Sequence, residues 1–175
     1  MTKKLLFASA LLLLLALDCA AQDCQRYREP DGGFSICKPD GWVLEQSEGL
    51  EYKSLSGPRR GKVIPNINFQ EEAYPAGLSD YVAAANKRAL DNYQKAGLSS
   101  MTLVGQTDFR TTSGTDGIRV AFKGESNGQP LRFLQYFFVG KDGKKLIITC
   151  TAPEADKDSL DPVFERAVKS LRFDR

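Results

Sequence analysis

The chain has 175 residues, 24 Lys and Arg against 22 Asp and Glu, four cysteines and no histidine, with a formal charge of +2. So even a balance leaves no basic face of the kind that steers a protein onto nucleic acid. Without histidine there is no Ser-His-Asp or Cys-His catalysis, and the commonest transition-metal ligand is missing.

Lys3 and Lys4 precede an apolar run over residues 5–17 that only Ser9 interrupts. This is the layout of a secretory signal peptide, and it falls short of the roughly 20 apolar residues that cross a bilayer. Two cleavage sites compete. Cys19-Ala20-Ala21 places small residues at the third and first positions before a cut that leaves Gln22 first. A lipoprotein cut would fall before Cys19, which would then carry the lipid. Ala16 and Asp18 stand where a bacterial lipobox usually has Leu and a small residue, so the cut after Ala21 is favoured. Either cut implies export, to the periplasm or medium in the first case and to a lipid anchor in the envelope in the second. Removing residues 1–21 takes away Lys3, Lys4 and Asp18, so the charge becomes +1 and residues 22–175 remain. That length suits one domain, burying roughly 68–70% of its unfolded surface.

Cys24, Cys37 and Cys150 remain in what is then an oxidising compartment. Asp31-Gly32-Gly33 is a hairpin signal between two short strands. A turn there sets Tyr27 opposite Ile36 and Arg26 opposite Cys37, with Cys24 diagonal to Cys37 on the same face, near disulfide reach. Cys24–Cys37 is the favoured pair, Cys37–Cys150 its rival, and three buried thiols the third possibility.

Pro39-Asp40-Gly41 makes a second turn, and Trp42 after it reads as a core plug. "LEYKSL" is a third strand, "GPRRGK" a loop, and "VIPNINFQEE" a fourth strand whose Pro65 argues for an edge or a bulge. "SDYVAAANKRALDNYQKAG" is a helix with Ser79 as N-cap and Gly97 as C-cap. Val82, Ala85, Ala89, Tyr93 and Ala96 form its apolar stripe, and Lys87, Arg88, Asp91 and Lys95 face water. From Met101 the period becomes two. "MTLVGQTDFRT", "GIRVAFKGES", "QPLRFLQYFFVG" and "KKLIITCTA" are four antiparallel strands joined at Ser113-Gly114, Asn127-Gly128 and Asp142-Gly143. Leu146, Ile148 and Cys150 share a face and Ile147 takes the other, so this sheet is covered on both sides. "DKDSLDPVFERAVKSLRF" is a closing helix capped by Asp158 or Ser159, with Pro162 in its first turn and a stripe of Leu160, Phe164, Ala167, Val168 and Leu171. The expected fold is α+β: an α/β/α sandwich, mostly antiparallel, with a helix on each face.

"YREPDGGFSICKPDGW", a strand, "PNINF", a helix, a four-stranded meander and "VKSLRF" together resemble the PsbP-like superfamily, which also holds DcrB-type envelope proteins and a Ran-binding import factor. Gly33-Phe34-Ser35-Ile36, Pro39-Asp40-Gly41-Trp42 and Ser170-Leu171-Arg172-Phe173 carry the likeness most specifically. These residues mark a fold, not a catalytic centre. The resemblance implies a module that binds partners, as members dock on photosystem II, bind a GTPase or sit in the bacterial envelope.

No chemistry-bearing motif stands against this. Ser35-Ile36-Cys37-Lys38 matches Ser-x-x-Lys, but on a strand Ser35 and Lys38 point to opposite faces, and the partner motifs are missing. Glu71 and Glu72 are adjacent on a strand, point oppositely and read as solvated. Glu154, Asp156, Asp158 and Asp161 favour the dipole of the closing helix. No cysteine spacing suits structural zinc, no loop suits calcium, and no cofactor is expected. "GPRRGK" puts Arg59, Arg60 and Lys62 on one exposed loop, a candidate surface for an anionic partner or lipid headgroups. The aromatic run "RFLQYFFVG" is a covered strand or, more sharply, an open groove. The expected role is a non-catalytic exported envelope module with an unknown protein partner, the alternative a small-ligand or lipid-binding module using a cleft between the sheet and the first helix.

Overall fold

The computed structural model describes residues 24–95 and 99–174. The signal segment with Cys19 and both cut sites, and Ala96 and Gly97 at the end of the first helix, lie outside the described residues, as does the side chain of Tyr93.

Strands β1 (Arg26–Glu29) and β2 (Phe34–Cys37) form the expected hairpin with Arg26 opposite Cys37 and Tyr27 opposite Ile36. Gly33, at φ 61°, supplies the left-handed residue its turn needs. The hairpin does not join the main sheet. It forms a small sheet of its own with β10 (Arg172–Phe173), in the order β1-β2-β10. Residues 172–173 therefore leave the closing helix instead of ending it. Phe173 pairs with Phe34, and the Asp174 N–H donates to the Gly33 carbonyl at 2.7 Å.

The main sheet has seven strands, all antiparallel: β3 (Val43–Glu45), β4 (Ser54–Ser56), β5 (Asn66–Glu72), β6 (Ser99–Arg110), β7 (Asp116–Ser126), β8 (Gln129–Val139) and β9 (Lys145–Pro153). Their order is β3-β4-β5-β9-β8-β7-β6, so the last four form the expected meander. Asn127 and Gly128 both take positive φ, as a tight two-residue hairpin turn requires. "LEYKSL" contracts to β4, because Tyr52 is a buried plug ahead of it. Pro65 marks neither an edge nor a bulge. It precedes β5, which runs between β4 and β9, and its carbonyl accepts the Gly57 N–H at 2.8 Å.

Helix α1 (Leu78–Lys95) starts one residue before the expected cap. The Tyr81 N–H bonds the Gly77 carbonyl, so Ser79 sits inside the first turn. Helix α2 (Lys157–Lys169) has Asp156, not Asp158 or Ser159, at its N-cap position with no side-chain cap bond, and the Ser159 hydroxyl donates back to the Asp156 carbonyl at 2.9 Å. Pro162 therefore lies in the second turn. The period of two in the sheet separates two cores. Ile118, Val120, Phe122, Phe133, Phe137 and Ile147 pack with Tyr81 and Val82 of α1. Leu134, Tyr136, Phe138, Leu146, Ile148 and Cys150 pack on the other face with α2 and the small sheet. Both helices thus cover the sheet, and the aromatic run of β8 is a buried strand, not an open groove.

Cys24 is joined to Cys37, with Cα atoms 5.5 Å apart, and Cys150 is a buried free thiol. The bond closes a loop of 13 residues' separation. Cross-linking a loop of that length stabilises by about 3 kcal/mol, mainly by restricting the unfolded chain. Cys24→Ser melted without reductant should lose roughly 6–12 °C in Tm. An unchanged Tm would mean that the β1–β2 ladder alone holds the hairpin.

Candidate functional site

An open cleft of about 640 Å³ lies beside α2, on the face opposite α1. Its floor is apolar. Trp42, Leu160 and Ala167 are buried there, and the Trp42 ring meets Phe164 edge-on at 5.8 Å. Gly57 makes this seat possible: a Cβ at that position would stand 2.7 Å from the indole. Pro58 and Pro65 wall one side, and Pro39 and the Cys24–Cys37 bond wall another.

Lys38, Arg60, Arg166 and Lys169 line the cleft, with Asp40 as the one acid among the lining residues. Lys169 is paired with Glu165 at 2.7 Å, and Lys38 donates to the Trp42 carbonyl. Arg60 and Arg166 make no ion pair among the described residues. The backbones of Arg60 and Val63 exchange two hydrogen bonds, at 2.7 and 3.0 Å, across Gly61 and Lys62. This closes the loop and holds Arg60 at the cleft. Arg59 and Lys62 are exposed on the same loop but do not line it.

Arg26 ties the far end together. Its guanidinium donates to the Cys37 sulfur at 3.4 Å, the Ser35 hydroxyl at 3.3 Å and the Ser170 carbonyl at 3.0 Å. Burial, and then the charge of Arg172, holds its pKa below the ordinary guanidinium value. Ser35 and Lys38 thus serve separate partners and form no nucleophile–base pair.

A second opening, of about 420 Å³, lies between the sheet and α1. Glu72 organises it and is not the solvated acid that its sequence suggests. Arg88 donates to both its carboxylate oxygens at 2.8 and 3.0 Å, and Tyr81 donates at 2.6 Å. Arg88 also lies over the Tyr81 ring, 5.6 Å from its centroid, so it does not simply face water. Glu71 points to the other face, as expected. Its side chain is buried, taking a hydrogen bond from Tyr52 at 3.1 Å beside Lys144 at 3.6 Å.

Burial works against the Glu72 carboxylate, but the bonds from Arg88 and Tyr81 and the charge of Arg88 outweigh it. They hold the group below its ordinary 4.5. A carboxyl with a lowered folded pKa stabilises above its unfolded value and loses that contribution as pH falls through the folded one. The stability gap between wild type and Glu72→Gln should therefore be full at neutral pH and shrink only below about 4.5. Thermal melts of both proteins down to about pH 3 check this. A constant gap would contradict it.

The acids at the start of α2 do more than favour its dipole. Arg132, on β8, donates from Nε to both oxygens of Asp161 at 2.9 and 2.8 Å, with its Nη2 also at 2.8 Å. Glu154 stands 3.8 Å from Arg132, and Arg119 3.9 Å from Asp161. Among the described residues no group of three His, Cys, Asp or Glu could hold a metal ion, and no helix is long and apolar enough to cross a membrane.

No family model matches the chain, and no curated protein does. Solved structures do. The solution structure of cyanobacterial PsbP (CyanoP) from Synechocystis sp. PCC 6803 superposes with a TM-score of 0.65 at 14% identity, over 85% of this chain and 91% of that one. LpqN, involved in cell envelope biogenesis of Mycobacterium tuberculosis, gives 0.63 at 13%, over 89% and 88%. The Ran-binding protein Mog1p of Saccharomyces cerevisiae gives 0.55 at 11%, over 85% and 94%. At these identities the likeness shows a shared fold and carries no residue roles.

Proposed function

We propose that this chain, which has the fold of the PsbP-like superfamily, is an exported, non-catalytic accessory module of the cell envelope that works by docking a protein partner on the face around Arg60. One observation carries the proposal: the α2 face holds an open cleft where Arg60 and Arg166 make no ion pair among the described residues, over an apolar floor. The best-placed acids, Glu72 and Asp161, are by contrast held in ion pairs with Arg88 and Arg132. A disulfide suits an oxidising compartment. Among proteins of the same fold, LpqN is described by its part in envelope biogenesis and Mog1p by its binding of Ran.

Export is tested by expressing the full chain in an exporting bacterial host and recording the intact mass and the N-terminal peptide. A start at Gln22 makes a soluble protein, and a diacylglyceryl Cys19 makes a lipoprotein. A full-length chain in the cytoplasm overturns export. Docking is tested with a photo-crosslinking residue at position 59, exposed on the same loop but not lining the cleft, and, on the opposite side, at the exposed Asp91 of α1. Discrete protein adducts from position 59 alone are expected. Equal patterns from both positions, or none from either, overturn the docking face.

A further inference from the structure

We infer that the cleft beside α2 takes a short extended peptide of the partner, with one apolar residue between acids at its two ends. The inference rests on reading this cleft as the docking face and names the chemistry of what enters it.

The shape comes from α2. Ser159, Val163, Arg166 and Ser170 line the cleft and recur at four, three and four residues, so they form one row along the helix. From Ser159 to the end of α2 at Lys169 the helix rises about 15 Å at ~1.5 Å per residue. An extended peptide of four or five residues, at ~3.3 Å each, spans that length. The cleft is thus a trough rather than a round pocket.

The topology places cations at both ends. Asn66 pairs with Thr151 in the β5–β9 ladder, which brings Pro65 and the Arg60 loop against the segment that enters α2. Arg60 therefore marks the helix start. The Cys37 N–H donates to the Ser170 hydroxyl at 2.7 Å at the helix end, where Arg166 and Lys169 line the cleft, while the Lys38 ammonium reaches back to the Trp42 carbonyl. Trp42, Leu160 and Val163 lie between these ends. A guanidinium forks onto a carboxylate through two donors, and charge-assisted bonds of this kind are the strong ones. An acid at each end with an apolar side chain between them matches cation, apolar floor, cation. Asp40 opposes anions and Glu165 holds Lys169, but Arg60 and Arg166 make no ion pair among the described residues and stand against one exposed carboxylate on the cleft lining. Lipid headgroups would suit Arg60 and Arg166, yet a flat bilayer surface would not reach the floor on which Trp42 lies.

The test pans a random twelve-residue phage peptide library on the folded wild-type protein, with Arg60→Glu/Arg166→Glu as the counter-selecting bait. Both residues are exposed, so the variant should keep the wild-type circular dichroism and Tm. The expected result is one enriched family with acids about four residues apart flanking an apolar residue. A synthetic peptide of that family should bind the double variant at least tenfold more weakly and lose affinity as salt rises. Enrichment of peptides without acids, equal binding to the variant, or no enrichment overturns the inference. So does co-sedimentation of wild type, and not the variant, with phosphatidylglycerol vesicles when no peptide binds, because the cations would then serve lipid. Crosslinked protein at position 59 with no peptide family would remove the peptide class and leave the docking module standing.

Discussion

Phe164→Ala should cost about 3–5 kcal/mol, as truncation of a buried phenylalanine does when the cavity it leaves cannot collapse. In a domain of this size that is a fall of roughly 6–20 °C in Tm. The ring is 1% exposed, in the centre of the α2 stripe between Leu160 and Val168. Its neighbours have little freedom to fill the hole. Trp42 meets it edge-on and is itself pressed by the backbone of Gly57, while Ile148, Cys150 and Ala152 belong to a sheet fixed by its ladders on both sides. Aromatic pairs in this edge-on geometry add about 0.5–1.5 kcal/mol beyond area burial, and this variant loses that too. Urea unfolding followed by circular dichroism checks the cost. A loss below about 1 kcal/mol would show that α2 can settle onto the sheet, contrary to the close packing of protein interiors. The variant also undercuts the floor of the cleft, so peptide binding should weaken with the stability.

The parts of this fold that could be read in the sequence are those where neighbouring residues carry the signal. The meander of β6 to β9 shows in its period of two and its glycine turns, and Leu146, Ile148 and Cys150 do part from Ile147. The hairpin register that sets Arg26 opposite Cys37 follows from turn chemistry, and with it the disulfide. The failures lie where distant residues decide. Arg172 and Phe173 continue a helical pattern locally, but Ser35 and Phe34 pair with them and draw them into a strand. Glu72 looks solvated because Arg88 is 16 residues away, and Asp161 looks like a dipole acid because Arg132 is 29 away. The site divides in the same manner. Arg60 was legible as part of an exposed basic loop. Lys38, Arg166 and Lys169 were not, because the fold alone brings them to it. One signal was available: the row Ser159, Val163, Arg166 and Ser170 runs beside the core stripe of α2 and mixes hydroxyl, apolar and cationic groups.

Asp161→Ala should cost about 3–5 kcal/mol, because it breaks an ion pair that burial has largely removed from water. The side chains of Arg132 and Asp161 are 13% and 23% exposed. Water therefore screens the pair far less than it screens Arg110 with Asp116 on the surface, where such pairs contribute about 0–1 kcal/mol. Removing the carboxylate strips both Nε and Nη2 of Arg132 of their acceptor and leaves Arg119 facing it, with Glu154 at 3.8 Å as the remaining acid. The cost is then chiefly that of an uncompensated buried cation, not of a lost attraction. The double variant Arg132→Leu/Asp161→Leu separates the two. Replacing a whole buried pair by apolar side chains is often neutral or stabilising, so the double variant should be several-fold less destabilised than Asp161→Ala. Urea midpoints of wild type, Arg132→Leu, Asp161→Leu and the double variant form the cycle, with Asp161→Ala measured beside them. Recovered stability in the double variant assigns the loss to the stranded guanidinium. A double variant as unstable as Asp161→Ala would instead mean that the pair's own attraction fastens the start of α2 to β8.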